Sequence, residues 1–212
     1  MIIYGSSLSP FVRKALAFAA EKGVAVESAP GGMGGGSPAF KAASPFGKIP
    51  ALEDGDFTLA DSSAIVAYLE ALKSEPNLIP VDAKARAKAI WFDEYADTIL
   101  VGAVGPMFFN RLVMPRFMGK PGDEAAAAHA ETNLLPAAVA YLETVIPDSG
   151  FLLEDRLTLA DIAVASPFVN LMHVGWTLDP VAHPKASAYV AAILERPSFA
   201  GFVEAEKAMV GG

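Results

Sequence analysis

Ser44 to Ile65 reads SPFGKIPALEDGDFTLADSSAI and is the most informative segment of the chain. Pro50 holds Ile49 in the extended region and has no backbone N–H to donate. Ala51-Leu52 and Phe57-Thr58-Leu59 read as two strands joined by Glu53-Asp54-Gly55-Asp56, because Asp-Gly suits a primed hairpin turn. Asp61 then stands at a helix N-cap position, with Ile65, Leu69 and Leu72 at helical spacing behind it. A helix start offers free N–H groups and the positive end of a dipole, so it favours a carboxylate. Ser62 and Ser63 add hydroxyls there, and Asp61 adds a charge that suits an ammonium group. Taken singly, these features make a hairpin and an ordinary capped helix. In this order they build a surface for an extended ligand held by its backbone and its charged end, and a small anionic thiol peptide fits that description.

Upstream of this stretch, Ile2-Ile3-Tyr4 reads as a strand and Gly5 to Ser9 as a loop. Pro10 fits the first position of a helix running to about Lys22, with Phe11, Ala15, Phe18 and Ala19 as its apolar stripe. Gly23 ends that helix, and Val24-Ala25-Val26 is the second expected strand, parallel to the first. Gly31 to Gly36 form a glycine loop, and Ser37 to Ala43 a short helix. The segment from 1 to 74 is thus a βαβ-α-ββα unit. Residues 75–82 hold two prolines and read as a linker.

From 83 to 212 the expectation is an all-helical domain. Alanine-rich helical patterns cover about 83–104, 123–146, 158–173, 184–195 and 199–208, with Pro106 and Pro115 expected to kink or break the first of them. In Leu157-Thr158-Leu159-Ala160-Asp161-Ile162, Thr158 and Asp161 form the aspartate version of a capping box, flanked by Leu157 and Ile162 as a hydrophobic staple. Asp161 has the look of a catalytic acid, but the capping role accounts for it better.

Composition narrows the function classes. The 212 residues carry a net charge of −8 and are 53% hydrophobic, which describes a compact acidic protein. Nucleic-acid binders usually show a basic face, so that class is disfavoured. No window reaches roughly 18 uninterrupted apolar residues, and the N-terminus lacks a signal peptide's basic start. A cytoplasmic location is the expectation. The absence of cysteine excludes disulfides, thiolate metal sites and a cysteine nucleophile. His129, His173 and His183 are too scattered to suggest a metal site, and none is expected.

With these elements in place, the chain resembles the cytosolic glutathione transferase family over essentially its whole length. SPFGKIPALEDGDFTLADSSAI resembles the glutathione-site motif of phi and related classes, TLADIAVASP resembles the family's capping motif, and SPFVRKAL is similar to the active-site turn of serine-type and omega-like members. The resemblance implies a thioredoxin-like N-terminal domain followed by an all-α substrate domain. It also implies a homodimer, with glutathione as co-substrate.

Roles follow from the resemblance at matched positions. Ile49 would pair its backbone with the cysteinyl part of glutathione beside a cis Pro50. Asp61 and Ser62 would hold the γ-glutamyl ammonium and carboxylate, and Lys48 would suit a glycyl carboxylate. Ser9 would donate a hydrogen bond to the sulfur, with Ser6 and Ser7 as alternates. Related classes place a Lys or His before the short second helix, whereas this chain has the glycine run there and Lys41 as the nearest cation. Phe11, Met107, Phe108, Arg111, Met114 and Trp176 are the candidate walls of an electrophile pocket. The reaction implied is attack of the activated thiol on an apolar or aromatic electrophile. Glutathione-dependent isomerisation, dehalogenation or ether cleavage, and a non-catalytic protein-binding role, are the alternatives.

Overall fold

A computed structural model of the chain describes residues 1–32 and 35–211. Met33 and Gly34, in the middle of the glycine run, lie outside the described residues. The N-terminal unit runs β1 (Ile2–Tyr4), α1 (Pro10–Lys22), β2 (Glu27–Ala29), α2 (Pro38–Ala43), β3 (Ala51–Asp54), β4 (Phe57–Ala60) and α3 (Ser62–Leu72). Its sheet has the order β2-β1-β3-β4, with β1 parallel to β2 and antiparallel to β3. Side chains alternate across the sheet, which separates two cores. Ile3 and Leu52 join the large cluster with α1 and α3, while Tyr4 and Ala51 meet Phe40 and Ala43 of α2.

Two local expectations shift. The second strand is Glu27–Ala29 and not Val24-Ala25-Val26, because Gly23 closes α1 in the left-handed conformation and the Val24 N–H is still used on Ala19 O. Val24 and Val26 pack against the core instead of pairing. The hairpin is also tighter than its sequence suggests. Asp54 pairs with Phe57, which leaves a two-residue turn with Gly55 at φ 64°.

The helical half contains α4 (Ala83–Glu94), α5 (Val101–Phe108), α6 (Met114–Phe117), α7 (Glu124–His129), α8 (Leu135–Val145), α9 (Leu159–His173), α10 (Pro184–Leu194) and α11 (Pro197–Val210). Neither proline breaks the first helix. Ala83 to Phe117 is one continuous rod whose turns widen to π geometry at Tyr95–Leu100 and Phe109–Val113. Pro106 lies between the two wide stretches, and Pro115 follows the second directly. The rod is long and apolar enough to cross a membrane. Phe92, Ala96, Leu100, Ala103 and Val104 instead enter the same core as α9, which accounts for that apolarity.

At the start of α9, Thr158 N donates to Asp161 Oδ2 at 2.8 Å, as the capping box requires. Leu152 N and Tyr189 OH also donate to Asp161 Oδ1, at 2.8 and 3.2 Å. Asp161 is fully buried and committed to these donors, so its role is structural.

Candidate active site

A cleft of about 580 Å³ opens between the Ile49–Pro50 segment, the start of α3 and the first wide turn of the rod. The sheet domain contributes Phe11, Phe46, Lys48, Ile49, Pro50, Asp61, Ser62 and Ser63, and the rod contributes Glu94, Asp97 and Thr98. The Ile49–Pro50 peptide bond is cis. Gly5 lets this segment approach α1, since a Cβ there would lie 2.7 Å from Val12 and 2.9 Å from Ile49, at a φ of 130° that side chains avoid.

Asp61 caps α3 as expected, accepting from Ser63 N at 2.9 Å and Ala64 N at 3.2 Å. Its φ of 84° is unusual for a residue with a side chain. Backbone held in such a region is concentrated at functional sites.

The carboxylates of the rod were not legible as site residues. Lys14 is buried in α1, and its Nζ donates to Asp93 Oδ1 and Asp97 Oδ2 at 2.6 Å each. Ser63 Oγ donates to Asp93 Oδ2 at 2.6 Å, which ties the start of α3 to the rod. Asp97 keeps a partly open face on the cleft. Burial pushes the Asp97 carboxyl above its usual range, and the Asp93 and Asp61 charges add to this while Lys14 opposes it. The available signal was Asp93 and Asp97 four apart, set among apolar residues on a helix.

The three candidate serines differ in their bonding. Ser6 Oγ accepts from Leu8 N at 3.3 Å on the surface. The Ser7 hydroxyl helps to hold the Glu206 carboxyl below its usual range. Ser9 occupies the N-cap position of α1 but makes no side-chain capping bond. A simple capping role therefore does not account for Ser9. It lies half-buried, two residues before Phe11 of the cleft.

The expected electrophile residues are scattered. Phe11 lines the cleft. Met107 is fully buried in the core, and Arg111 is engaged by Glu124 and Glu131 at 2.6 and 2.7 Å. Phe108 and Met114 are half-buried on the rod. Trp176 lines a different cavity, of about 510 Å³, between α9, α10 and α11. Among the described residues, no group of three or more His or carboxylate side chains is placed to hold a metal ion.

The chemistry of the cleft matches a peptide with carboxylates and an ammonium. The cleft brings a helix N-terminus and Lys48, which suit anions, to the same space as Asp61, Glu94 and Asp97, which suit a cation.

Comparisons with known proteins bear on the family and the fold. Residues 3–77 match the family model "Glutathione S-transferase, N-terminal domain", and residues 110–206 match "Glutathione S-transferase, C-terminal domain". The chain is 30% identical over 210 residues to a glutathione S-transferase of Hyoscyamus muticus, covering 96% of this chain and 98% of that one. It is 32% identical over 203 residues to glutathione S-transferase 3 of Zea mays, covering 93% and 90%. Among solved structures, a glutathione S-transferase from Rhodospirillum rubrum F11 superposes with a TM-score of 0.86 at 28% identity, over 95% and 90% of the two chains. A theta-class enzyme from Xanthomonas axonopodis pv. citri, solved with glutathione bound, gives 0.80 at 29% identity over 95% and 96%. Sequence and fold together show that this chain belongs to the cytosolic glutathione S-transferase superfamily.

Proposed function

We propose that the chain is a serine-type glutathione transferase, with glutathione as co-substrate and Ser9 as hydrogen-bond donor to its sulfur. The observation that carries this reading is the cleft itself, where Lys48, Ile49, Asp61 and Ser62 surround one ligand-sized space beside the start of α1. The Ile49 backbone holds the cysteinyl part of the peptide. Asp61 takes the γ-glutamyl ammonium, with Asp97 behind it, and Ser62 with the α3 N-terminus takes the adjoining carboxylate. Lys48 serves the glycyl carboxylate.

The chemistry is activation of the co-substrate's thiol. A free thiol has a pKa near 8.5, so only a few per cent is thiolate at neutral pH. The Ser9 hydroxyl and the N-terminus of α1 favour the anion. Lowering the pKa by about two units requires roughly 2.7 kcal/mol, within reach of one or two charge-assisted hydrogen bonds. The thiolate attacks an electrophilic carbon, forming a C–S bond as the leaving group departs or a strained ring opens. Phe11 gives an apolar wall that suits an aromatic electrophile.

Ser9 is preferred over its neighbours because it stands at the N-cap of α1, half-buried and with no capping bond, whereas Ser6 is exposed and accepts from Leu8 N. We further propose a cytoplasmic homodimer. Phe46, on the lip of the cleft, is 90% exposed, which suits burial against a second copy.

Calorimetry with millimolar glutathione, followed by conjugation assays with aromatic halides, tests the reading. Heat of binding and turnover are expected, with Ser9→Ala lowering kcat by about a hundredfold. Absence of binding at that concentration sinks the proposal. Full turnover by Ser9→Ala moves the role to Ser6 or Ser7.

A further inference from the structure

The loop around Ser9 is held by the helical domain as well as by its own. Asn170 Nδ2 of α9 donates to Leu8 O at 2.7 Å, and Ser166 Oγ of the same helix donates to Pro10 O at 2.7 Å. The Leu8–Ser9 peptide plane is therefore set by Asn170. The Ser9–Pro10 plane is set by Arg13 N, which donates to Ser9 O at 2.9 Å. With both planes fixed, the Cα–Cβ bond of Ser9 has a single direction.

The two α9 residues are themselves fixed. Arg13 Nη1 donates to Ser166 O at 2.7 Å and to Asn170 Oδ1 at 3.0 Å. The other edge of Arg13 grips Glu206 of α11, Nε to Oε1 at 3.0 Å and Nη2 to Oε2 at 2.7 Å. His173 Nε2 lies 2.9 Å from Glu206 Oε2, and a carboxylate only accepts, so that nitrogen carries a proton. Arg13, Ser166, Asn170 and Glu206 are all buried, with no more than 1% of their surface exposed. Water has no access to loosen the array.

We propose that Asn170 and Ser166, set in place by the Arg13–Glu206 ion pair, are positioning residues that aim the Ser9 hydroxyl at the thiol. The proposal rests on the assignment of Ser9 given above. A plain interdomain clamp would tie helix to helix or side chain to side chain. Here the bonds go to the backbone on either side of the one serine whose hydroxyl is left uncommitted by its own helix.

A double-mutant cycle separates the two roles. Asn170→Ala should lower kcat by about tenfold to a hundredfold, the scale of an ångström misplacement of a reacting group. With glutathione saturating, the apparent pKa of the kcat/KM profile for the electrophile should rise by about one unit, because the thiolate loses part of its donor. At about pH 6, below the bound thiol pKa in both proteins, the glutathione dissociation constant should stay within about twofold, since contacts to the neutral thiol form are untouched. Placed in a Ser9→Ala background, Asn170→Ala should cost nothing further.

The same cycle with Ser166→Ala decides the matter if Asn170→Ala does not fold. Ser166→Thr, which keeps the hydroxyl, should restore the wild-type profile. Unchanged pH profiles, or losses that add to that of Ser9→Ala, overturn the positioning role. Full activity in Ser9→Ala alone overturns the assignment of Ser9 instead, so the two failures are distinct.

Discussion

Asp61 combines two tasks in one side chain, capping α3 and facing the cleft with a charge. An Asp61→Asn variant separates them. Asparagine keeps the capping acceptor and tolerates positive φ, so the melting temperature should stay within about 2 °C. The charge is lost, and glutathione should bind about tenfold more weakly by calorimetry, the low end for a hydrogen bond to a charged group. Unchanged affinity would remove Asp61 from the ammonium site.

At this scale the sequence was legible where chemistry is local. The Asp61-Ser62 helix start and Ile49-Pro50 follow from neighbouring residues, and both line the cleft. Asp97 and Glu94 were not legible, because they arrive from a helix of the other domain. The electrophile wall was the least legible. Methionine and phenylalanine at helical spacing read alike in core and pocket, and Met107 belongs to the core.

Among the elements, α1 carries the most. Its apolar stripe was evident, but Arg13, Lys14 and Lys22 are also buried, each against carboxylates brought by later helices. No local rule predicts a buried cation, since its partner is distant in sequence. The rod showed the opposite error: Pro106 and Pro115 looked like breaks, yet wide turns beside them keep the helix continuous.

The α1–α11 contact gives a pH prediction. Burial pushes the Glu206 carboxyl up, but hydrogen bonds from His173 and Arg13, with the Arg13 charge, outweigh it and hold it below the ordinary value of 4.5. A carboxyl depressed in the folded state stabilises above its unfolded value and loses that contribution as pH falls through its folded value. Breaking a buried pair costs about 3–5 kcal/mol. Urea unfolding of Glu206→Ala should show a loss of that order at neutral pH, and the difference from wild type should shrink below pH 4.5. A gap that stays constant with pH would mean the carboxylate contributes by packing alone.

Across the molecule, both domains meet at the cleft and along α1, so the cleft and the domain contact share residues. Lys14 links Asp93 and Asp97 of the rod to Ser63 of the sheet domain, and Glu21 of α1 is bonded by Ser198 of α11 and by Arg196 just before it. The order of elements made this architecture readable from the chain, because a βαβ-α-ββα unit followed by helices alone has few compact solutions. The outer surface was less readable. Phe46 stands exposed on a loop, where sequence alone gives no reason for an aromatic residue. Sedimentation of Phe46→Ser should show a shift from dimer toward monomer at micromolar concentration. A monomeric wild type, or a variant that remains dimeric, contradicts the homodimer with Phe46 in its interface.

The proposed chemistry has this protein lower the thiol pKa of bound glutathione through Ser9. Titrating the ultraviolet absorbance of the bound thiolate against pH, in wild type and Ser9→Ala, measures it most directly. The prediction is a bound thiol about two units below the free value near 8.5 in wild type, returning most of the way in Ser9→Ala. A bound thiol that titrates like the free one in wild type, or an unchanged depression in Ser9→Ala, would contradict it.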